Sequence, residues 1–237
     1  MIELVIVIVV ISILFSVGAL FMNDSVETHK FRATMKEMRE IKKALIGDEN
    51  IIQGKERTDF GYVGENGSFP NNLAQLGPEF PANMDYDEDA WNNSYQYTNA
   101  ATVVLESYGS DGANGGTELA NDIVLRMNRG LYLNNTAVVT VYDARGNILR
   151  GNDSGDANYH IQRVRLISLA SGVTRSDNTP TNGSLFMFSG NLPIGRYSVE
   201  VTIRNTNNYR QILNDNNATY RRSVAIYPKG QNRMHII

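Results

Sequence analysis

The sequence predicts an α+β protein: a long N-terminal α-helix packed on a small globular region with short strands, followed by an all-β sandwich domain. Three observations carry this. An uncharged aliphatic run passes directly into an amphipathic stripe, residues 48–123 mix Gly, Pro and Asn with short apolar runs, and residues 124–237 alternate apolar and polar residues between turns. The expected organisation is a helix over 1–47, divided into an apolar part (1–22) and an amphipathic part (23–47), then a globular region over 48–123 and a sandwich over 124–237.

The helix comes first. Leu4 to Met22 holds 19 residues without a charge. At about 1.5 Å per residue that is about 28 Å of helix, close to the hydrocarbon thickness of a bilayer. A cleaved secretory signal would have a basic segment before a shorter apolar core and small residues after it. Here no Lys or Arg precedes the run, and Phe21-Met22-Asn23-Asp24 is a poor cleavage site, so the segment reads as retained. Phe31, Met35, Met38, Ile41 and Leu45 then follow at steps of 4, 3, 3 and 4, one stripe on a helix, with Gly47 as its stop. A membrane anchor uses only the first half of such a rod. The second half must pack on something, most simply this chain's own globular region. Glu3 sits at the end of the apolar run, where a carboxylate either reaches back to water or meets a cation such as a free amine on another chain.

Charge is divided unevenly. Residues 1–123 hold 8 basic and 19 acidic residues, and residues 124–237 hold 14 and 6. The halves are therefore −11 and +8, which suits two domains that attract each other or a neighbouring copy, or simply two differently charged surfaces. There is no cysteine, so disulfides and thiolate metal sites are excluded. Three dispersed histidines, with no nucleophile elbow and no phosphate loop, argue against an enzyme. Nucleic acid is not an expected partner, because the whole chain is acidic and the basic half lacks clear aromatic–basic alternation.

In the middle region, Ser107 to Ile123 alternates oxygen-bearing side chains with glycines. Such a run is either a Gly-rich turn closed by Asp caps or a loop that curls around a hard cation. It lacks the spacing of an EF-hand. Trp91, the only tryptophan, reads as a core anchor.

The run Ile2-Glu3-Leu4-Val5-Ile6-Val7-Ile8-Val9-Val10-Ile11, followed by so long a helix, resembles the start of a mature type IV pilin or type II secretion pseudopilin. Two further segments resemble the major pseudopilin: Gly64-Glu65-Asn66-Gly67-Ser68-Phe69-Pro70-Asn71-Asn72-Leu73-Ala74-Gln75-Leu76, and Asp89-Ala90-Trp91-Asn92-Asn93-Ser94-Tyr95-Gln96-Tyr97. The resemblance implies a leader removed by a prepilin peptidase, N-methylation, and a glutamate that pairs with the amine of an adjacent subunit. Glu3 would be that assembly residue, although it stands third here rather than fifth. The resemblance also implies a calcium site, with Asp111 and Asp122 as side-chain ligands and Tyr108 as a backbone-carbonyl ligand. The implied protein is a non-enzymatic subunit of a homopolymeric filament. It would be held in the inner membrane before assembly and handled by the assembly machinery, and would end at the cell surface or in a periplasmic pseudopilus. The alternative is a minor pilin or adhesin that binds a surface or anionic polymer through its C-terminal domain.

Residues 124–237 exceed a plain pseudopilin. Ala137–Tyr142 leads through Asp143–Asn147 to Ile148–Leu149, a hairpin signal, and Arg163–Leu166, Leu185–Phe188, Arg196–Arg204, Ser223–Tyr227 and Arg233–Ile237 also read as strands. In Arg196–Arg204, Tyr197, Val199, Val201 and Ile203 share one face. Val139–Gly146 and Phe188–Val199 resemble the first strand and the Asn-Leu-Pro-x-Gly-x-Tyr run of transthyretin-like or carboxypeptidase-regulatory-like modules, which implies a sandwich fold but no chemistry. Arginines of this domain are expected to pair with Asp85, Asp87, Glu88 and Asp89 of a neighbouring subunit.

Overall fold

The computed structural model describes residues 2–54, 56–79, 86–142, 145–151, 160–177, 183–204, 217–228 and 231–236; the side chains of 2–4 and 13–24, among others, lie outside that description. The protein is mixed α+β, with few helices and many strands in several sheets. Helix α1 runs Ile2–Ile46. Its amphipathic stripe faces a core: Met38, Ile41 and Leu45 are buried, and Phe31 and Met35 are half-buried against the same cluster. Each such side chain contributes about 1.5–3 kcal/mol through burial, so the stripe alone can fasten this half of the rod. The helix stops at Gly47, whose φ of +80° lets its N–H turn back 2.6 Å to the Lys43 carbonyl. A Cβ there would lie 2.4 Å from the Asp59 carbonyl oxygen. The Arg57 guanidinium closes the end, donating to the carbonyls of Ile46 (2.5 Å) and Asp59 (2.6 Å) and lying 5.0 Å over the Phe60 ring. A cation at a helix C-terminus opposes the negative end of the helix dipole.

After α1 come the two-residue strands β1 (Ile52–Gln53) and β2 (Glu56–Arg57), helix α2 (Gly61–Asn66), and a 3₁₀ turn at Leu73–Glu79. The turn buries both leucines of its Leu-x-x-Leu pattern, Leu73 and Leu76. Strands β3 (Gln96–Asn99), β4 (Thr102–Ser107) and β5 (Ile123–Asn128) form an antiparallel meander in that order. β4 alternates, burying Val103, Leu105 and Ser107 toward α1 and its neighbours. Residues 123 and 124 both lie in β5, which pairs with β4 along Ser107↔Ile123 to Thr102↔Asn128. Met127 is buried in the helix-side core, and helix α3 (Arg129–Leu133) packs Tyr132 and Leu133 on it. The middle unit therefore extends into the low 130s. The polar loop 108–122 is the β4–β5 connection.

The remaining strands are β6 (Thr136–Val141), β7 (Arg150–Gly151), β8 (His160–Ser168), β9 (Thr174–Asp177), β10 (Phe186–Phe188), β11 (Gly195–Arg204), β12 (Asn217–Ile226) and β13 (Gln231–Ile236). They make two sheets, ordered β10-β6-β13 and β12-β11-β8-β7, with β9 also paired to β8. One apolar core lies between them. Val139, Val141, Phe186 and Met234 come from the first sheet, and Val164, Leu166, Val199 and Val201 from the second. The inward set expected in β11 is buried, Tyr197, Val199, Val201 and Ile203. Tyr142 and Ile148 form an antiparallel bridge where a hairpin was expected, and residues 143 and 144 of that turn lie outside the described residues.

The two units are joined by packing. Ile194, in the turn before β11, is buried in the helix-side core rather than its own, and its N–H reaches the Tyr132 carbonyl at 2.8 Å. Gly195 approaches Gly64 so closely that a Cβ would lie 3.1 Å from the Gly64 carbonyl oxygen. The Asn135 side chain and backbone N–H both donate to the Leu192 carbonyl at 3.0 Å. Tyr227 adds a ring contact with Phe60 and accepts the Arg57 N–H at 3.3 Å.

Candidate assembly surface and cation loop

Near the start of α1 the described aliphatic side chains stand open in the single chain. Val5, Ile6, Val7, Ile8, Val9, Val10 and Ile11 are each between 46% and 58% exposed. Monomeric soluble proteins rarely leave a contiguous aliphatic face of this kind open to water. The one described polar side chain in the run is self-satisfied: Ser12 Oγ donates to the Ile8 carbonyl at 2.8 Å. A hydroxyl bonded within its own helix does not oppose burial in an apolar setting. Among the described residues no helix is long and apolar enough to cross a membrane. Glu3 lies in the first turn of α1, and its side chain is outside the described residues.

Below this face, three polar side chains of α1 tie the rod to the segment 89–95. Trp91 Nε1 donates to Glu27 Oε2 at 2.5 Å, the Ala90 N–H donates to Thr34 Oγ1 at 3.2 Å, and the Tyr95 hydroxyl meets Glu37 Oε2 at 3.1 Å. Glu27, Thr34 and Glu37 are spaced by seven and three, so they share one helix face. The sequence reading placed Trp91 as a core anchor. It is half-buried against the core, and its indole N–H is committed to the rod.

Asp89 organises that segment. It is 4% exposed. Its Oδ1 accepts the N–H groups of Trp91 and Asn93, both at 2.9 Å, and its Oδ2 accepts the Ser107 hydroxyl at 2.6 Å. The expected pairing of Asp89 with an arginine of another subunit is therefore corrected: a buried carboxylate with three internal donors is not available to a neighbour. Asp85 lies outside the described residues. On the arginine side, Arg165 and Arg221 flank the buried Glu200 across β8, β11 and β12, with Arg221 Nε at 2.9 Å. These two cations are also engaged within the chain.

The loop 108–122 hangs from the same network. Ser107 Oγ accepts the Gly109 N–H at 3.2 Å, and Asn93 Nδ2 donates to the Gly109 carbonyl at 2.7 Å. Tyr108 precedes a 3₁₀ turn at Gly109–Asp111, and a second turn spans Glu118–Ala120. Gly116 at φ +88° lets the loop close, since a Cβ would meet the Ala120 carbonyl oxygen at 2.1 Å. Asp111 Oδ1 accepts the Ala113 N–H at 3.1 Å and Asp122 Oδ2 the Gly115 N–H at 2.9 Å. The two carboxylates thus grip amides two residues apart in one loop. Asp122 Oδ1 is buried with no hydrogen-bond donor among the described residues. An orphaned buried carboxylate oxygen is costly, and a cation is one group that satisfies it. Among the described residues no three His, Asp or Glu side chains converge as a metal cluster, so any cation here would rest on two carboxylates plus backbone carbonyls.

Residues 70–126 match the family model described as type II secretion system (T2SS), protein G. The match begins at Pro70 and ends inside β5, so it takes in the Asp89 network, the whole loop and the strands that frame it. It supports a pseudopilin-type relationship at the family level. That family is one of structural, non-enzymatic filament subunits. No curated protein and no solved structure matches significantly.

Glu27, Thr34 and Glu37 were not singled out from the sequence. Their signal was available in part: Trp and Tyr bring polar hydrogens into an interface, which calls for acceptors at the matching height of the helix.

Proposed function

We propose that this chain is a structural subunit of a helical filament, a pseudopilus or type IV pilus, assembled through α1. The observation that carries the reading is the division of one helix. Its lower half is buried in its own domain, while Val5 to Ile11 stand uncovered. Identical rods from sister molecules would cover that face, and a bilayer would cover it before assembly. Glu3 would pair with the N-terminal amine of an adjacent subunit after leader removal by a prepilin peptidase and N-methylation. Asp111, Asp122 and the Tyr108 carbonyl would hold calcium, which would neutralise the two carboxylates and stiffen the loop. The location that follows is the envelope, with a periplasmic pseudopilus or surface filament as the assembled form. The C-terminal sheets would be a transthyretin-like module carried on the filament's outside. Electron microscopy of sheared envelope material, with mass spectrometry of the protein's N-terminus, tests this. Fibres built from the chain are expected; a chain found only as a monomer in its native envelope would refute it.

A further inference from the structure

The junction between the two units holds a cavity of about 370 Å³. It is walled by the end of α2, by α3, by the β8–β9 turn and by the turn before β11. Two arginines line it, Arg129 from α3 and Arg175 from β9, and among the described residues no Asp or Glu does. Neither arginine is in an ion pair among the described residues. Arg175 is oriented, because its Nη2 donates to the Asn191 carbonyl at 2.6 Å. Asn191 supplies that carbonyl from a left-handed backbone (φ 46°). Around the two cations stand small neutral polar side chains: Ser68, Ser168, Ser171 and Asn191. Ser168 Oγ accepts the Ser171 N–H at 3.2 Å, which leaves its own O–H to donate.

We propose that this cavity is a binding site for an acidic sugar, a uronic acid unit. Guanidinium forks match a carboxylate in charge and geometry. Hydroxyl and amide side chains both donate and accept, as the hydroxyls of a sugar ring require. The volume lies at the lower end for small-molecule sites and suits one or two rings. The site needs the C-terminal unit docked as it is, since neither unit alone brings Arg129 and Arg175 together. It is independent of filament assembly.

The test is calorimetric titration of the full chain in detergent with galacturonate, with galactose (the ring without the carboxylate) and with acetate (the carboxylate without the ring). Saturable galacturonate binding is expected, with galactose and acetate each at least tenfold weaker. Arg129→Gln should weaken galacturonate at least tenfold, while Arg126→Gln, an exposed position on β5 outside the cavity, should leave it unchanged. If Arg129→Gln does not fold, Ser171→Asp serves instead: it sets a carboxylate in an exposed turn at the cavity wall and should cause the same loss. The proposal is overturned if galacturonate gives no saturable heat, if galactose or acetate binds as well, or if affinity survives the cavity variant.

Discussion

Replacing Asp89 with alanine tests whether one buried carboxylate ties α1 to the meander and the loop. The side chain accepts three hydrogen bonds of 2.6 to 2.9 Å and is 4% exposed. Bonds to a charged acceptor are each worth about 1.5–3 kcal/mol net, and a buried donor left unpaired costs about 1–3 kcal/mol. Water can reach Trp91 and Asn93 in the variant, but Ser107 is fully buried. The bonds share one carboxylate and do not add in full, so the expected loss is about 3–5 kcal/mol. Against a typical total of about 5–15 kcal/mol that is a large fraction. Asp89→Asn keeps an oxygen for the two backbone donors and should lose about 1–2 kcal/mol. Asp111→Ala removes one exposed turn bond and should lose under about 1 kcal/mol without a cation. Urea unfolding of the full chain in mild detergent, followed by the fluorescence of Trp91, reads all three. An Asp89→Ala variant within about 1 kcal/mol of the parent would refute the reasoning, because no buried three-bond carboxylate can be removed so cheaply.

Three further outcomes are expected. Leu45→Ala deletes a fully buried side chain where the rod meets its core and should destabilise by about 2–5 kcal/mol in the same assay. Glu200→Ala leaves Arg165 and Arg221 facing each other, and because Arg221 is mostly exposed the loss should be only about 1–3 kcal/mol. Burial pushes Tyr197 up to about 12, against a smaller pull from Arg175, and raises Tyr97 as well. An unfolded tyrosine ionises near about 10. Between that value and about 12 the unfolded chain therefore holds fewer protons than the folded one, and stability falls as pH rises. Tyrosinate absorbance for these two rings should appear together with loss of circular dichroism; their smooth titration in a folded chain would contradict it.

Periodicity was the most legible signal. The stripe from Phe31 to Leu45 and the alternation in β11 both set which side chains are buried, because backbone geometry repeats at 3.6 and 2 residues whatever surrounds it. Charge was the least legible. Asp89 and Glu200 look like surface acids in sequence, yet both are buried; beyond the local N–H groups of Trp91 and Asn93, the Ser107 hydroxyl on Asp89 comes from 18 residues away, and the arginines on Glu200 come from 21 and 35. No local pattern carries such contacts. The pairing of β5 with β4 across the Gly-rich loop is likewise not carried by any local pattern. The Asn-Leu-Pro-x-Gly run resembles that of a sandwich module, but its second role, seating Ile194 in the other unit's core, depends on a docking that sequence does not display. The arginine cavity arises from that same docking and was equally invisible.

The covering of Val5 to Ile11 is the point on which the account turns, and the absence of cysteine makes it directly measurable. The thiol introduced by Ile8→Cys should resist a water-soluble maleimide in intact sheared fibres, while that introduced by Ile51→Cys, at a position 51% exposed in the chain, should react freely. Equal labelling at the two positions, in fibres shown to contain the protein, would mean that sister rods do not cover this face.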